Sequence, residues 1–296
     1  MKKRIFDLTA EDVRSMKRSD IVDCIARSEG RTLMVENVVS AEPPVDLVSG
    51  AEFAAGFGAD MITLNCLDLF SPRAEVNGAG NHGVKDHFTV AELKKLTGRL
   101  MGCNLEPVPE GFTDIPPGRA VSSDTILAAI EHGLDYIMLT GNPGKCVSQE
   151  TILSAIRLAR AVSEDIVIIA GKMHGGGIGN DYNLDVIDQF AAAGADIMMF
   201  PAPYTTPGVT PELAAQMMQK VHESKMLGML AIGTSQEGAT ESFIEKVAMA
   251  SKSAGADIVH IGDGGYGGLA VPENILRMGI TIRGRRHQYK RMVNRR

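Results

Sequence analysis

The chain has 296 residues, a net charge of −6 and four cysteines, Cys24, Cys66, Cys103 and Cys146, without paired spacing. No run approaches the roughly 20 apolar residues of a bilayer-spanning helix. Met1–Asp7 lacks an apolar signal core, so a cytoplasmic protein with reduced thiols is expected, without disulfides or a cysteine-type zinc site.

The charge is uneven. The last fourteen residues carry Arg283, Arg285, Arg286, Lys290, Arg291, Arg295 and Arg296 and no acid; without those seven, 30 basic residues fall to 23 against 36 acidic ones, a net −13 for residues 1–282. Nucleic acid is one partner for such a tail, but a terminal helix docked on an acidic body or on a neighbouring subunit is the simpler reading.

Taken in order, Thr9–Ser15 and Ser19–Ala26 read as short helices, with Thr9 and Asp12 spaced as a capping box, and residues 1–30 form an N-terminal helical cap. Apolar runs then recur at Thr32–Asn37, Met61–Asn65, Leu100–Glu106, after Asp135, at Ile166–Gly171, after Asp196, at Met226–Gly233 and at Ile258–Ile261. Helical periodicity follows each run, and Thr89 with Glu92 and Thr210 with Pro211 mark two of the helix starts.

The returns from helix to strand are tight turns of one kind: Gly58-Ala59-Asp60, Gly133-Leu134-Asp135, Gly194-Ala195-Asp196 and Gly255-Ala256-Asp257, the last three 61 residues apart. Eight regular βα units with strands apolar on both faces predict a closed (β/α)8 TIM barrel, a single domain spanning 1–296 with 283–296 as its basic tail.

The connections from strand to helix are long and rich in Gly, Pro and polar residues, which places a site at the carboxyl ends of the strands. Cys66–Phe88, with Asn77-Gly78-Ala79-Gly80-Asn81-His82-Gly83, reads as a lid. Gly233-Thr234-Ser235 and Gly262-Asp263-Gly264-Gly265 end the last two strands, where barrels commonly hold phosphate, and their backbone N–H groups and two hydroxyls suit an anion. Asp263 argues the other way unless it binds a metal or a sugar hydroxyl.

Lys172, just beyond the fifth strand, reads either as an amine with a lowered pKa, able to form an imine or take a proton, or as a solvated loop lysine. His174 and Glu36 are acid or base candidates beside it. Asn37, Asn65, Asn104 and Asn142 are candidate substrate contacts, and Asp68 and Glu106 candidate ligands of Mg²⁺. His260, inside the eighth strand, either faces the barrel interior or simply packs, and packing is the simpler expectation; Met198-Met199 and Met226–Leu230 are expected to belong to the core.

Across nearly its whole length the chain resembles phosphate-binding TIM barrels of the ribulose-phosphate-binding type. Ser28-Glu29-Gly30-Arg31-Thr32 through Glu36-Asn37, with Gly58-Ala59-Asp60 and Asn65, is similar to uncharacterised bacterial barrel proteins often labelled haloacid-dehalogenase-like hydrolases. That chemistry requires an Asp-x-Asp pair after the first strand, where this chain has Val35-Glu36-Asn37-Val38-Val39.

Three functions stay open from the residues. One is an aldolase, isomerase or epimerase acting on a small phosphorylated carbonyl compound, with Lys172, His174 and Glu36 as its catalytic groups. The second is a Mg²⁺-dependent lyase or hydrolase of phosphonate or phosphoenolpyruvate type. The third is a non-catalytic phosphometabolite-binding protein. A homo-oligomer, packed through its outer helices, is expected.

Overall fold

In the computed structural model, residues 3–75, 85–175 and 184–293 are described. Eight parallel strands, β1 Thr32–Val38, β2 Met61–Asn65, β3 Leu100–Leu105, β4 Tyr136–Leu139, β5 Val167–Gly171, β6 Ile197–Pro201, β7 Leu227–Ile232 and β8 Ile258–Ile261, close into a barrel. Neighbours in sequence are neighbours in the ring, and β8 closes on β1 with Met34 opposite His260. The protein is a (β/α)8 TIM barrel.

Helices α1 Ala10–Arg14 and α2 Arg18–Ala26 precede the barrel, and α3 Gly50–Gly56, α4 Val90–Thr97, α5 Ser123–Glu131, α6 Gln149–Val162, α7 Asp185–Ala193, α8 Pro211–Glu223, α9 Glu241–Ser253 and α10 Pro272–Met292 follow the strands in turn. Ser or Thr caps α1, α3, α4, α5, α6, α8 and α9; the boxes expected at Thr9–Asp12 and Thr89–Glu92 both form, and Pro211 opens α8. Each such cap contributes about 1 kcal/mol by occupying an orphan backbone donor. Among the described residues no helix is long and apolar enough to cross a membrane.

Side chains alternate between two cores. Leu33, Val35, Ile62, Leu64, Met101 and their counterparts pack outward on the helices. Met34, Met61, Leu100, Tyr136, Val167, Ile197, Met229 and Ile258 point inward and meet Ile5, Phe6, Leu8, Ile21 and Ile25, so the N-terminal segment plugs the barrel's amino end. Gly102 leaves room for Tyr136, whose ring stands 2.2 Å from where a β-carbon would sit.

The repeated aspartates have a mechanical role at that same end. Asp60 Oδ2 accepts the N–H of Leu33 at 2.9 Å, Asp135 that of Met101 at 2.8 Å, Asp196 that of Ile168 at 2.9 Å and Asp257 that of Gly228 at 2.8 Å. Each carboxylate thus staples the start of the preceding barrel strand. A cationic or imidazole partner sits beside each: Arg283 and Arg291 at Asp60, Lys94 at Asp135, Arg18 and Arg160 at Asp196, His222 at Asp257.

The C-terminal segment docks on acidic residues of its own chain and leaves part of its charge in solvent. Arg283 and Arg291 are buried on Asp60, and Lys290 pairs with Asp7 of the same chain, while Arg285 and Arg286 are exposed. The helix bends at Gly284, whose φ of 73° lies in the left-handed region that glycine tolerates. Asn77–Gly83 of the expected lid, Gly176, Gly177, Arg295 and Arg296 lie outside the described residues.

Candidate functional site

The alternation that sends Met34 inward also sends Glu36 inward, one layer nearer the carboxyl end, and turns Asn37 outward, where its amide packs against Gly50 at the start of α3. By the same parity Asn65, Asn104 and His260 project into the barrel above the plug. With His260 buried behind them, Glu36, Asn65 and Asn104 together with the loops after β4, β5, β7 and β8 enclose a cavity of about 160 Å³. That is small beside the roughly 300–1,000 Å³ typical of drug-sized ligand sites and suits a small metabolite.

Its polar wall is one connected network. Asn65 Nδ2 donates to Asp263 Oδ2 at 2.7 Å, and its Oδ1 accepts from Cys66 N at 2.8 Å and from Asn104 Nδ2 at 3.0 Å. Asn104 Nδ2 donates as well to Glu36 Oε1, whose other oxygen lies 3.1 Å from His260 Nε2. His260 is fully buried and belongs to this network instead of simply packing, as its place inside a strand suggested. Cys66 and Ser235, flanking the network, hold left-handed φ values of 61° and 68° that a non-glycine residue adopts at a cost in energy.

The closing glycine turns converge here, but on a carboxylate. Gly233, Ser235, Gly262 and Gly264 line the cavity, and Glu237 folds back beneath them. A β-carbon at Gly262 would lie 2.4 Å from Glu237 Oε1, so the glycine makes room for an acid of the chain itself. Gly262 N–H continues the barrel ladder to Ile232 O at 2.9 Å. Thr234 bonds Thr205 O and Gln236, and Gly265 packs on Leu269 and Ala270, so neither faces the cavity.

Burial among like charges alters the protonation of Asp263 and Glu237. Burial, and next the charge of Glu36, push the Asp263 carboxyl up to about 7, against the hydrogen bond from Asn65. Burial also raises Glu237, opposed by backbone N–H groups and His260. His174, which lines the cavity, is lowered chiefly by burial.

Two other expected residues lie elsewhere. Lys172 is not among the residues lining the cavity: Gly171 and Met173 take the inward parity of β5, burial is the main cause of the lysine's lowered pKa, and its charge acts on Glu150 of α6 and on His174. Asp68 accepts the N–H of Phe70 at 3.0 Å and packs against Gly118.

Glu106 is buried and has both oxygens engaged, by Arg119 at 2.7 Å and by Asn142 at 2.9 and 3.1 Å. Asp68 and Glu106 therefore do not fit a shared Mg²⁺, and among the described residues no three His, Cys, Asp or Glu side chains are arranged to hold a metal ion. Asn142 lines the cavity but serves Glu106.

Glu237 and Asp263 are the groups that reading the sequence missed; Asp263 counts there only against a phosphate, and His260 reads as inward or packed, with packing the simpler expectation. Glu237 is the one carboxylate in Gly233–Gly238, and His260 has the inward parity of Ile258; those were the available signals.

A parallel barrel with a carboxylate-rich mouth defines the structural class. The chain belongs to the family described as Domain of unknown function (DUF7916), matched over residues 6–296. No curated protein matches it.

Among solved structures it is similar to the carboxyl transferase domain of Rhizobium etli pyruvate carboxylase, with a TM-score of 0.53 at 12% identity over 95% of this chain and 51% of that one. It is similar also to 2,3-dimethylmalate lyase, a PEP mutase/isocitrate lyase superfamily member, with a TM-score of 0.50 at 18% identity over 86% and 81% of the two chains. Thiamine phosphate pyrophosphorylase from Pyrococcus furiosus comes next at 0.49 and 14%, over 86% and 96%. At such identities the likeness is one of fold. None of the three carries a haloacid-dehalogenase label.

Proposed function

We propose that the protein is an acid–base enzyme of the lyase or isomerase class, moving a proton on a small hydroxylated carbonyl compound held at the barrel mouth. The observation that carries this reading is the pair of carboxylates, Glu36 and Asp263, joined through Asn65 and Asn104 on the wall of one cavity, with Asp263 pushed up to about 7. A group that titrates near neutrality and faces a cavity is poised both to take and to return a proton.

In this reading Asp263 is the base, and Asn65 holds its carboxylate in place. His260 and Asn104 fix the two oxygens of Glu36, and His174 is a second proton carrier lining the same cavity. An imine at Lys172 and a phosphate gripped by the closing turns are not part of the proposal, because Lys172 does not line the cavity and Glu237 occupies the cradle.

The test is solvent-hydrogen exchange. The protein is incubated in D2O with a panel of small hydroxy-aldehydes, hydroxy-ketones and 2-oxo acids, and deuterium incorporation or carbon–carbon cleavage is followed by NMR. Asp263→Asn is expected to cut turnover by about 10²- to 10⁴-fold, the usual worth of a positioned acid–base group. Undiminished turnover in that variant overturns the proposal.

A further inference from the structure

The charge of the cavity narrows what fits it. Among the described residues that line it there is no Lys or Arg; the nearby Arg119 is tied to Glu106 at 2.7 Å, and Lys172, whose charge reaches His174, stands outside the lining. Glu36, Glu237 and Asp263 surround the space instead. A second observation points to an occupant. Asn104 is buried, 5% exposed, on the cavity wall; its Nδ2 serves Glu36 and Asn65, and its Oδ1 meets no donor in the protein. A buried carbonyl oxygen left without a donor is costly, and a bound molecule bearing N–H or O–H groups relieves it.

Acceptors thus outnumber donors on the wall, so a complementary ligand supplies hydrogen-bond donors and positive charge. Resting on the acid–base reading of the same site, we propose that its substrate is a small organic cation, a hydroxylated carbonyl compound that also carries a primary amine, whose ammonium neutralises the ring of Glu36, Glu237 and Asp263 and whose donor hydrogens satisfy Asn104. An anionic phosphate group meets the opposite conditions: three carboxylates repel it, and the glycine turns that would cradle it already lean on Glu237. A bare metal ion finds no arranged set of three ligands among the described residues.

Serinol and glycerol share one skeleton and differ in a central ammonium against a central hydroxyl, which isolates the charge. Titrations of the intact protein at pH 8, followed by NMR, are run with serinol, glycerol, inorganic phosphate and magnesium chloride. Serinol is expected to bind at least about tenfold more tightly than glycerol, the scale of one charge-assisted hydrogen bond. Glu237→Gln is expected to remove most of that preference while leaving glycerol's affinity in place.

Equal affinity for serinol and glycerol, binding of neither, or tighter binding of phosphate or magnesium overturns the proposal; the wild-type comparison decides this without any variant. Exchange in the Asp263→Asn protein is measured without serinol. A failure of the charge assignment and a failure of the acid–base reading therefore give different results.

Discussion

Asp60 and Asp263 are both buried aspartates, at opposite ends of one barrel, and their surroundings differ in kind. Asp60 is fully buried at the amino end, accepts the N–H of Leu33 at 2.9 Å and is gripped by Arg283 and Arg291. Asp263, at the carboxyl end, has an amide donor from Asn65 at 2.7 Å and two further carboxylates nearby. Cations offset the burial of the first. Burial of the second, added to by Glu36 and Glu237, is only partly offset by Asn65 and His260, so its proton stays until about pH 7. One chain thus uses the same residue as a structural staple where charges are matched and as a titrating group where they are not.

Substituting the two aspartates sharpens that contrast. Asp263→Asn is expected to lower turnover by up to about 10⁴-fold in the exchange assay. Its thermal unfolding at pH 8 should occur at a higher temperature than wild type, because a buried carboxylate among like charges is removed. Asp60→Asn strands two buried arginines and is expected to destabilise the fold by about 3–5 kcal/mol, read by denaturant unfolding. If Asp60→Asn is silent in stability, or Asp263→Asn melts the protein, the division between the two ends fails.

A pH series probes the same difference more gently. Asp263 is an acid whose folded-state pKa is raised from 3.8 to about 7. The folded state therefore binds the extra proton between those values, and its contribution to stability, fully present below about pH 4, is lost as pH rises through 7. Wild type should lose a few kcal/mol relative to Asp263→Asn across that window. Since the base form is the active one, kcat/KM should climb about tenfold per pH unit below 7 and level off above it. A stability difference independent of pH contradicts the assignment.

Sequence alone revealed the barrel because parallel strands covered on both faces read as continuous apolar runs, and because the Gly-x-Asp turns recur. The same continuity conceals which residues point inward. In Ile258-Val259-His260-Ile261 every neighbour is apolar, so nothing local tells an inward histidine from a packed one; the closure of β8 on β1 puts it beside Glu36. At Gly171-Lys172-Met173-His174 chemistry drew the eye to the lysine, while strand parity turned Met173 inward. Glu36, Asn65, Asn104 and His174 were legible as strand-end polar residues. The fold-back of Glu237 depends on Ser235 holding a φ of 68°, which no residue type announces.

Lys172 provides the smallest and most discriminating test of that parity argument. It is only half-buried, it does not line the cavity, and its charge acts on Glu150 of the outer helix layer and, as a lesser effect than burial, on His174. Lys172→Ala is therefore expected to leave turnover within about twofold and stability within about 0.5 kcal/mol, as for other substitutions away from a core or a site. Borohydride treatment in the presence of the carbonyl panel should yield no adduct on that residue. A large loss of activity with an unchanged melting temperature would mean that the amine swings into the mouth during turnover. The ring of carboxylates would then have a cation supplied by the chain itself, and the contrast between the matched amino end and the unmatched carboxyl end would disappear.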